Sequence, residues 1–317
     1  MVFNMTNDNA IEVVGIQKQF GTQVAVDDVS FTVGKGEVFG LLGPNGAGKT
    51  TTLRMITTLL RQDQGHILVN GFDTVTQAPR VRQQFALTGQ NASIDQDLSA
   101  MENLVIFGRL HGLTRADARS RATELLGDFD LTNSASKSLD QFSGGMRRRL
   151  DLAVSLIGNP SILFLDEPTT GLDPRTRTQM WTAIRRLVQH GTTVVLTTQY
   201  LEEADQLADR IALIDHGRMV ALGTPSALKQ RVGGLHLQIE VPELRWVAPA
   251  QAVVQAVLAG PTEVQNRKVS AYLDDDGFRA VAAITTKLQD AGVPLSNFAV
   301  TEPSLDDVFL RMTVGKN

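Results

Sequence analysis

The first ninety or so residues of the chain carry short apolar runs that are rich in β-branched side chains and interrupted by glycine. Such runs predict strands, here over residues 11–16, 24–33, 37–42, 67–69 and 84–88. Residues 51–60 instead show the apolar spacing of a helix. We therefore expect a β-rich region in which a helix follows the third strand.

A helical block comes next, and after it strands and helices alternate. Apolar spacing predicts three helices, over 98–110, 115–126 and 145–157. Thr114 is the expected N-cap of the second helix, and Gly158 with Pro160 ends the third. Alternating strands and helices follow, over 162–165, 175–190, 193–197 and 201–208. This alternation is typical of a mainly parallel sheet that is covered on both faces. A hairpin of strands over 211–214 and 219–222, joined through His216-Gly217, is expected after them.

A second domain is expected after the helix over 226–232, which runs into Gly233-Gly234. We predict an α/β domain over 11–233, with a helical subdomain at about 92–160, and a small α+β domain over 235–317. The small domain has predicted strands over 236–241, 268–273 and 298–300, and predicted helices over 250–258, 277–291 and 304–312.

Composition excludes several classes of function. The formal charge is −4 and basic residues are spread along the 317 residues, so no broad surface for nucleic acid is indicated. The chain has no cysteine, which excludes disulfides and thiolate chemistry. Because the N-terminal residues are polar, we expect no secretory signal there. The longest apolar runs are strand-sized, so we also expect no membrane crossing by this chain itself.

A glycine-rich segment between the third strand and the helix matches the G-x-x-x-x-G-K-T pattern, as Gly43-Pro44-Asn45-Gly46-Ala47-Gly48-Lys49-Thr50, followed by Thr51. Its backbone N–H groups are expected to surround the β-phosphate of ATP or GTP. Lys49 would reach the β- and γ-phosphate oxygens, and the Thr50 hydroxyl would hold Mg²⁺. A plain glycine turn with a solvated lysine does not account for both the pattern and its context.

Two acidic residues, Asp166 and Glu167, end the apolar run over 162–165. A buried strand delivers such carboxylates to its C-terminal edge, where α/β sheets bind ligands. Asp166 is expected to bind the hydration shell of Mg²⁺. Glu167 is the candidate to polarise an attacking water, and its presence predicts hydrolysis as well as binding.

A second anion site is indicated by Phe142-Ser143-Gly144-Gly145, which opens a predicted helix. A helix that starts with glycine exposes free N–H groups, which favour a negatively charged ligand. A second such helix start, placed ahead of the acidic strand, suggests that two copies of the chain close around one nucleotide. Arg147, Arg148 and Arg149 follow, and they either add positive potential or form a solvated helix face.

The ordered set of motifs over about residues 11–230 resembles the ATPase subunit of ATP-binding cassette (ABC) transporters. The resemblance implies a P-loop NTPase core with a helical subdomain and an antiparallel β subdomain, and ATP with Mg²⁺ as cofactors. It also implies that two copies pack head to tail, so that Ser143, Gly144 and Gly145 of one approach the γ-phosphate held at Lys49 of the other.

Three further roles follow from the same resemblance, each with a simpler alternative. Gln90 would touch Mg²⁺ or the attacking water, or it is an ordinary glutamine at a strand end. Phe20 would stack on adenine, or it is a core phenylalanine. Asp173 would help to organise the facing site, or it is a turn carboxylate before Pro174.

The sequence departs from the usual family pattern at Gln199, where a histidine normally contacts the γ-phosphate. Glutamine can donate a hydrogen bond but cannot shuttle a proton, so the resemblance leaves Glu167 as the base of a slow ATPase. Met146, which stands where glutamine is common, and the C-terminal segment 303–309 resemble the daunorubicin-resistance branch of exporter ATPases.

We therefore predict an ATP-hydrolysing subunit that dimerises and drives a separate membrane permease, exporting a hydrophobic drug or antibiotic-like compound. It would lie at the cytoplasmic face of the membrane, attached through that permease. The alternatives are a nucleotide-gated regulatory module with incidental turnover, and a cassette protein that acts on ribosomes or DNA. The C-terminal domain is expected to be regulatory, dimer-stabilising or merely structural, and Asp274-Asp275-Asp276 a solvated turn or a metal loop.

Overall fold

The computed structural model of the chain describes residues 8–89, 94–231, 234–258, 260–273 and 277–313. The chain forms two compact units, Met1–Thr224 and Pro225–Asn317. The helix that begins at Pro225 belongs to the second unit, because it packs against the last helix of that unit. No helix within the described ranges is both long and apolar enough to span a bilayer.

The first unit contains most of the regular structure. Its strands are β1 (Asn9–Phe20), β2 (Gln23–Gly34), β3 (Val38–Leu42), β4 (Gln64–Val69), β5 (Phe72–Asp73), β6 (Phe85–Thr88), β7 (Ile162–Asp166), β8 (Thr193–Thr198), β9 (Arg210–Asp215) and β10 (Arg218–Gly223). Its helices are α1 (Lys49–Ile56), α2 (Ala78–Arg82), α3 (Ala100–Leu110), α4 (Arg115–Asp128), α5 (Gly144–Ser155), α6 (Pro174–Gln189) and α7 (Leu201–Leu207). The short elements α2 and β5 were not predicted, because neither is long enough to show a period.

The larger sheet has the order β10-β9-β3-β8-β7-β6 and is parallel except for the hairpin strand β10. Its inner strands β3 and β8 are buried along their whole length, which explains their nearly continuous apolar sequences. In the register, Asp166 pairs with Thr197 and Leu42 pairs with Thr198. The C-terminal ends of these three strands therefore meet at one edge of the sheet.

Each face of this sheet is covered by a separate hydrophobic cluster. Ile162 and Phe164 of β7 pack with β1, β2 and α1, whereas Leu163 and Leu165 pack with the helical block. This alternation is the two-residue period of a strand that is buried on both faces. A four-stranded antiparallel sheet, β2-β1-β4-β5, covers the first face and confirms the predicted antiparallel β subdomain.

The helical block is fixed by N-caps on its three main helices. Ser99 and Glu102 form a capping box at the start of α3. Thr114 accepts a hydrogen bond from the Asp117 amide at the start of α4, as predicted. Helix α5 begins directly after Ser143, so the glycines of the predicted anion site are its first residues.

The second unit is a small α+β fold, as predicted. It comprises α8 (Pro225–Gln230), β11 (His236–Glu240), α9 (Val247–Gln255), β12 (Thr262–Gln265), β13 (Lys268–Tyr272), α10 (Gly277–Asp290), β14 (Asn297–Thr301) and α11 (Leu305–Thr313). Its sheet has the antiparallel order β12-β13-β11-β14, and one face packs on α9 and α10. Strand β12 was missed because it is a solvated edge strand whose only large apolar residue is Val264. Asp274-Asp275-Asp276 lie outside the described residues.

Candidate functional site

The phosphate loop joins β3 to α1, and its glycines are required by close backbone contacts. Gly48 has φ +106°, and a Cβ atom there would lie 2.5 Å from the Ala25 carbonyl oxygen. A Cβ atom at Gly43 would collide with the Ile214 carbonyl oxygen. The loop is thus wedged against β2 and the end of β9, which holds its N–H groups in place before any ligand binds.

Lys49 is the first residue of α1, and its side chain folds back over the loop. Its ammonium donates to the carbonyl oxygens of Gly43 at 2.6 Å and Pro44 at 3.0 Å. Burial lowers the pKa of Lys49, whereas the nearby carboxylates of Glu167 and Asp166 act in the opposite direction. Because an ammonium carries three donors, one remains for an anionic ligand.

Asp166 lies at the end of β7, directly across from the start of α1. Its Oδ1 atom accepts hydrogen bonds from the hydroxyls of Thr197 at 2.5 Å and Thr50 at 3.3 Å. Thr50 and Asp166, two of the three residues that the sequence assigned to Mg²⁺, therefore touch each other. Thr197 was not predicted; its place on β8, across from Asp166, depends on strand register.

Glu167 adopts a left-handed backbone conformation, with φ +50°. For a residue with a side chain this conformation costs about 1–2 kcal/mol. Its amide donates to the carbonyl oxygen of Thr197 at 3.1 Å and to the hydroxyl of the same residue at 3.2 Å. Its carboxylate accepts from the Thr170 hydroxyl at 3.2 Å.

Glu167 and the phosphate loop line one open cavity of about 280 Å³. The other residues around this cavity are Phe20, Gln23, Ala25, Asn45, Gly46, Ala47, Gly48, Lys49, Thr50 and Thr51. Folding thus places Thr50 of the predicted metal set and Glu167 beside the phosphate loop in one cavity, with Phe20 of β1 also in its lining. Asp166 reaches this group through its hydrogen bond with Thr50.

Ser143, Gly144 and Gly145 do not line this cavity. The Ser143 hydroxyl caps α5 by accepting from the Met146 amide at 3.3 Å. A Cβ atom at Gly144 would meet nothing within 4 Å, whereas one at Gly145 would collide with the Thr176 side chain. Thr176 in turn binds Asp173, which caps α6. The Ser143 helix start is therefore open at Gly144 and packed at Gly145.

Each of the two units matches a known protein family. A model of the ABC transporter family matches residues 26–170, and a model of the ATP-binding protein DrrA1-3-like C-terminal domain matches residues 223–313. Daunorubicin resistance ATP-binding protein DrrA3 of Streptomyces coeruleorubidus is 48% identical over 306 residues, which cover 96% of each chain. The chain belongs to the ABC transporter ATP-binding family. It is therefore an ATPase.

Two further comparisons agree with this membership. Daunorubicin/doxorubicin resistance ATP-binding protein DrrA of Streptomyces peucetius is 47% identical over 315 residues, or 98% of this chain and 94% of that one. A solved ATP-binding subunit of an ABC transporter superposes with a TM-score of 0.62 at 28% identity, covering 70% of this ABC ATPase and 92% of that chain. The predicted family and fold are confirmed.

Phe20 of this ABC ATPase lies at the rim of the cavity. Its side chain is 50% exposed, and the Lys18 ammonium lies 5.6 Å from the centre of its ring. The alternative that Phe20 is a core residue is therefore wrong. Gln199 is half-buried directly after β8, beside the strand that carries Asp166, and Gln90 lies outside the described residues.

The three arginines of α5 each donate to main-chain carbonyl oxygens. Arg147 contacts Leu139 at 3.1 Å and Arg149 contacts Phe129 at 2.9 Å. Arg148 contacts Gly89 at 2.7 Å and also binds the segment after Asp166. The solvated-face alternative is wrong, because these side chains are half-buried and join α5 to four other segments. Sequence alone does not show which carbonyl oxygens they meet.

Asp151 was also missed, although a sequence signal exists. It lies on the largely apolar face of α5, three residues after Arg148, where a charge is unexpected unless paired. The Asp151 carboxylate lies 3.5 Å from the Arg148 guanidinium, and both side chains are mostly buried. Burial nevertheless raises the pKa of Asp151 to about 6, with Arg148 acting in the opposite direction.

We expect Asp151→Asn to gain stability relative to the wild type as the pH rises from the unfolded pKa of 3.8 through the folded value of about 6. Because the pKa of Asp151 is raised in the folded state, the neutral carboxyl stabilises the fold and the ionised carboxylate does not. This contribution of wild-type Asp151 to the free energy of unfolding is complete below the unfolded pKa and is lost above the folded pKa. The relative gain is about 3 kcal/mol at most, since one pKa unit corresponds to about 1.4 kcal/mol. Urea unfolding of both proteins at pH 4.5 and pH 8 measures it, and an equal difference at both pH values contradicts it.

Proposed function

We propose that this ABC ATPase closes as a homodimer around ATP and Mg²⁺ and drives a separate membrane permease that exports hydrophobic, drug-like or antibiotic-like compounds. The observation that carries the proposal is the split between two half-sites. Lys49, Thr50 and Glu167 line one cavity, whereas Ser143 and Gly144 form an open helix start outside it. Each half-site is incomplete until a second copy supplies the other.

The residues present fit Mg²⁺ together with a nucleotide. Thr50 and Asp166 supply oxygen ligands, which Mg²⁺ prefers. No group of three or more His, Cys, Asp or Glu side chains suited to a metal ion occurs in the described part of the chain. The remaining ligands would therefore be phosphate oxygens, water and, by the family resemblance, Gln90. When bound, Mg²⁺ would neutralise charge on the phosphates of ATP.

Hydrolysis would depend on Glu167. Its carboxylate lines the cavity beside Lys49, and Thr170 holds one of its oxygens. A carboxylate in this place can orient a water and accept its proton. Gln199, at the end of the neighbouring strand, would donate a hydrogen bond to the γ-phosphate without taking part in proton transfer. Phe20, exposed at the rim, would stack on adenine.

The second copy would contribute the start of α5. Ser143 already fixes the helix end through its cap, so the N–H groups there point outward with the positive end of the helix dipole. Open space at Gly144 allows a phosphate to approach the backbone closely. Asp173, at the start of α6 and joined through Thr176 to the region of Gly145, would help to shape the facing site.

Two observations support a permease partner and a drug-like substrate. Ile106 and Leu110 on α3 are large apolar side chains that are 44% and 75% exposed. By the family resemblance, this helix is where an ABC ATPase contacts its membrane subunit. The relatives with nearly half of their residues identical are named for daunorubicin and doxorubicin resistance. The chain would then lie at the cytoplasmic face of the membrane, attached through the permease.

Homodimer closure is tested with the full-length chain carrying Glu167→Gln, which would slow hydrolysis and preserve the ATP state. Size-exclusion chromatography with light scattering should show a dimer with ATP and Mg²⁺ and a monomer with ADP. A monomer under both conditions would contradict the proposal. Co-expression with candidate membrane proteins from neighbouring genes, followed by co-purification in detergent, tests the permease separately, and failure of all of them to co-purify would contradict that part of the proposal.

A further inference from the structure

The backbone of Glu167 is held in its left-handed conformation from both sides. On the amide side, the carbonyl oxygen and the hydroxyl oxygen of Thr197 both accept a hydrogen bond from the Glu167 N–H. On the carbonyl side, the Arg148 guanidinium donates to two main-chain carbonyl oxygens. Its Nη2 atom lies 3.5 Å from that of Glu167, and its Nε atom lies 3.0 Å from that of Pro168. A strained conformation of this kind persists only where surrounding contacts determine it.

The same guanidinium reaches a second catalytic segment. Its Nη1 atom donates to the carbonyl oxygen of Gly89 at 2.7 Å. Gly89 directly precedes Gln90 in the chain. One side chain of α5 therefore holds the main chain after Asp166 and the main chain before Gln90. Arginine suits this task because its planar head carries five donors in a fixed arrangement, whereas lysine presents a single point charge.

Asp151 orients this arginine. It lies one helical turn after Arg148, and its Oδ2 atom is 3.5 Å from Nη1. The side chains are only 16% and 10% exposed, so their attraction is weakly screened by solvent. Asp151 Oδ2 has no hydrogen-bond partner among the described residues, which leaves the ion pair with Arg148 as its main compensation.

We propose that Arg148 is a positioning residue for ATP hydrolysis, which holds the Glu167 main chain in its strained conformation and ties it to α5. The inference deepens the proposed function, because it rests on Glu167 as the hydrolytic carboxylate. In the closed dimer, α5 would carry both the Ser143 helix start for one nucleotide and the arginine that positions Glu167 for the other. Dimer closure at one nucleotide site would then change the position of Glu167 at the other site.

The decisive variant is Arg148→Lys in the full-length chain. A lysine cannot span the three carbonyl oxygens, so the Glu167 backbone should relax and its carboxylate should move. We expect kcat for ATP hydrolysis to fall by at least about tenfold, since small misplacements of a reacting group cost up to about 100-fold. The KM for ATP should stay within about twofold, because Lys49 and the phosphate loop are untouched.

The matched control is Arg149→Lys. Arg149 is the next residue of α5 and also donates to a main-chain carbonyl oxygen, but that oxygen belongs to Phe129 at the end of α4. This variant should lower the melting temperature about as much as Arg148→Lys while leaving kcat within about twofold of the wild type. An equal fall in kcat in both variants would overturn the inference, because loss of a carbonyl contact would then act through stability alone.

Two further variants separate positioning from folding. Asp151→Asn should lower kcat severalfold at pH 8 while leaving the KM for ATP within about twofold, because it loosens Arg148 without touching the phosphate loop. In a Glu167→Gln background, Arg148→Lys should cause little further loss of residual turnover, measured with radiolabelled ATP. Additive losses would overturn the inference, because residues that act through one another give non-additive effects.

The outcomes also distinguish this inference from the proposed function. If Glu167→Gln retains full turnover, the assignment of Glu167 fails. If Glu167→Gln is inactive but Arg148→Lys keeps the wild-type kcat, only the positioning role of Arg148 fails. Should Arg148→Lys not fold, Asp151→Asn decides the question, and unchanged kcat in that variant would overturn the inference.

Discussion

Replacing Glu167 with glutamine should lower kcat for ATP hydrolysis by at least about 100-fold, the range expected for loss of a general base. The amide keeps the size of the side chain and its contact with Thr170, but it cannot accept a proton. Gln199 cannot compensate, because it stands where the family usually has a histidine and is itself unable to take up a proton. Affinity for ATP should change by no more than a few-fold, since Lys49 and the loop glycines remain.

Steady-state turnover and calorimetric ATP binding on the full-length chain measure these two effects. Glu202→Gln is a suitable control, because that carboxylate follows β8 but is 63% exposed and forms only a surface ion pair with Arg177. The control should keep kcat within about twofold. Unchanged turnover in Glu167→Gln would show that another group activates the water. It would favour the alternative in which nucleotide binding matters and turnover is incidental.

Replacing Ser143 with arginine should abolish turnover, with a fall of at least about 100-fold, yet leave ATP binding at Lys49 largely intact. The long side chain would fill the open space in front of Gly144, where the phosphate of the facing copy would lie. Loss of the cap on α5 costs about 1 kcal/mol, which is too little to unfold the unit. Blocked dimer closure would account for the loss of turnover.

The comparison that isolates this effect is Thr114→Arg. Thr114 caps α4 in the same way, by accepting the Asp117 amide at 3.2 Å, and it lies outside both half-sites. It should lose a similar amount of stability while keeping turnover and ATP-dependent dimerisation. Dimerisation of the Ser143→Arg variant is measured by light scattering in the Glu167→Gln background. An ATP-dependent dimer there would contradict the assignment of the α5 helix start to the composite site.

Elements with a strong apolar pattern or a clear cap or turn could be predicted well. The buried strands β3, β7 and β8, the capped helix α4 and the hairpin of β9 with β10 appear close to their predicted positions. Helix α1 begins at Lys49, two residues earlier than expected, because the phosphate loop leads directly into it. The missed elements, such as β12, are short and solvated, so neither apolar spacing nor turn residues mark them.

The site residues also fall into those that the sequence predicts and those that needed the structure. Lys49, Thr50, Asp166 and Glu167 are predicted from short motifs, because each motif lies on one strand end or helix start and its chemistry is local. The alternatives at Phe20 needed the structure, since exposure of a side chain depends on what the rest of the chain places around it. Gln90, which lies outside the described residues, stays a prediction.

The sequence by itself determined the family and the order of the longer elements, and it predicts the residues that would meet ATP. These properties depend on periodic apolar patterns and on contiguous motifs, which are written in neighbouring residues. Only the tertiary structure decided that Thr197 and Arg148 hold Glu167 from opposite sides, and that Gly145 is packed while Gly144 is open. The physical reason is that each of these contacts joins segments far apart in the chain, and strand register and helix packing set which atoms meet.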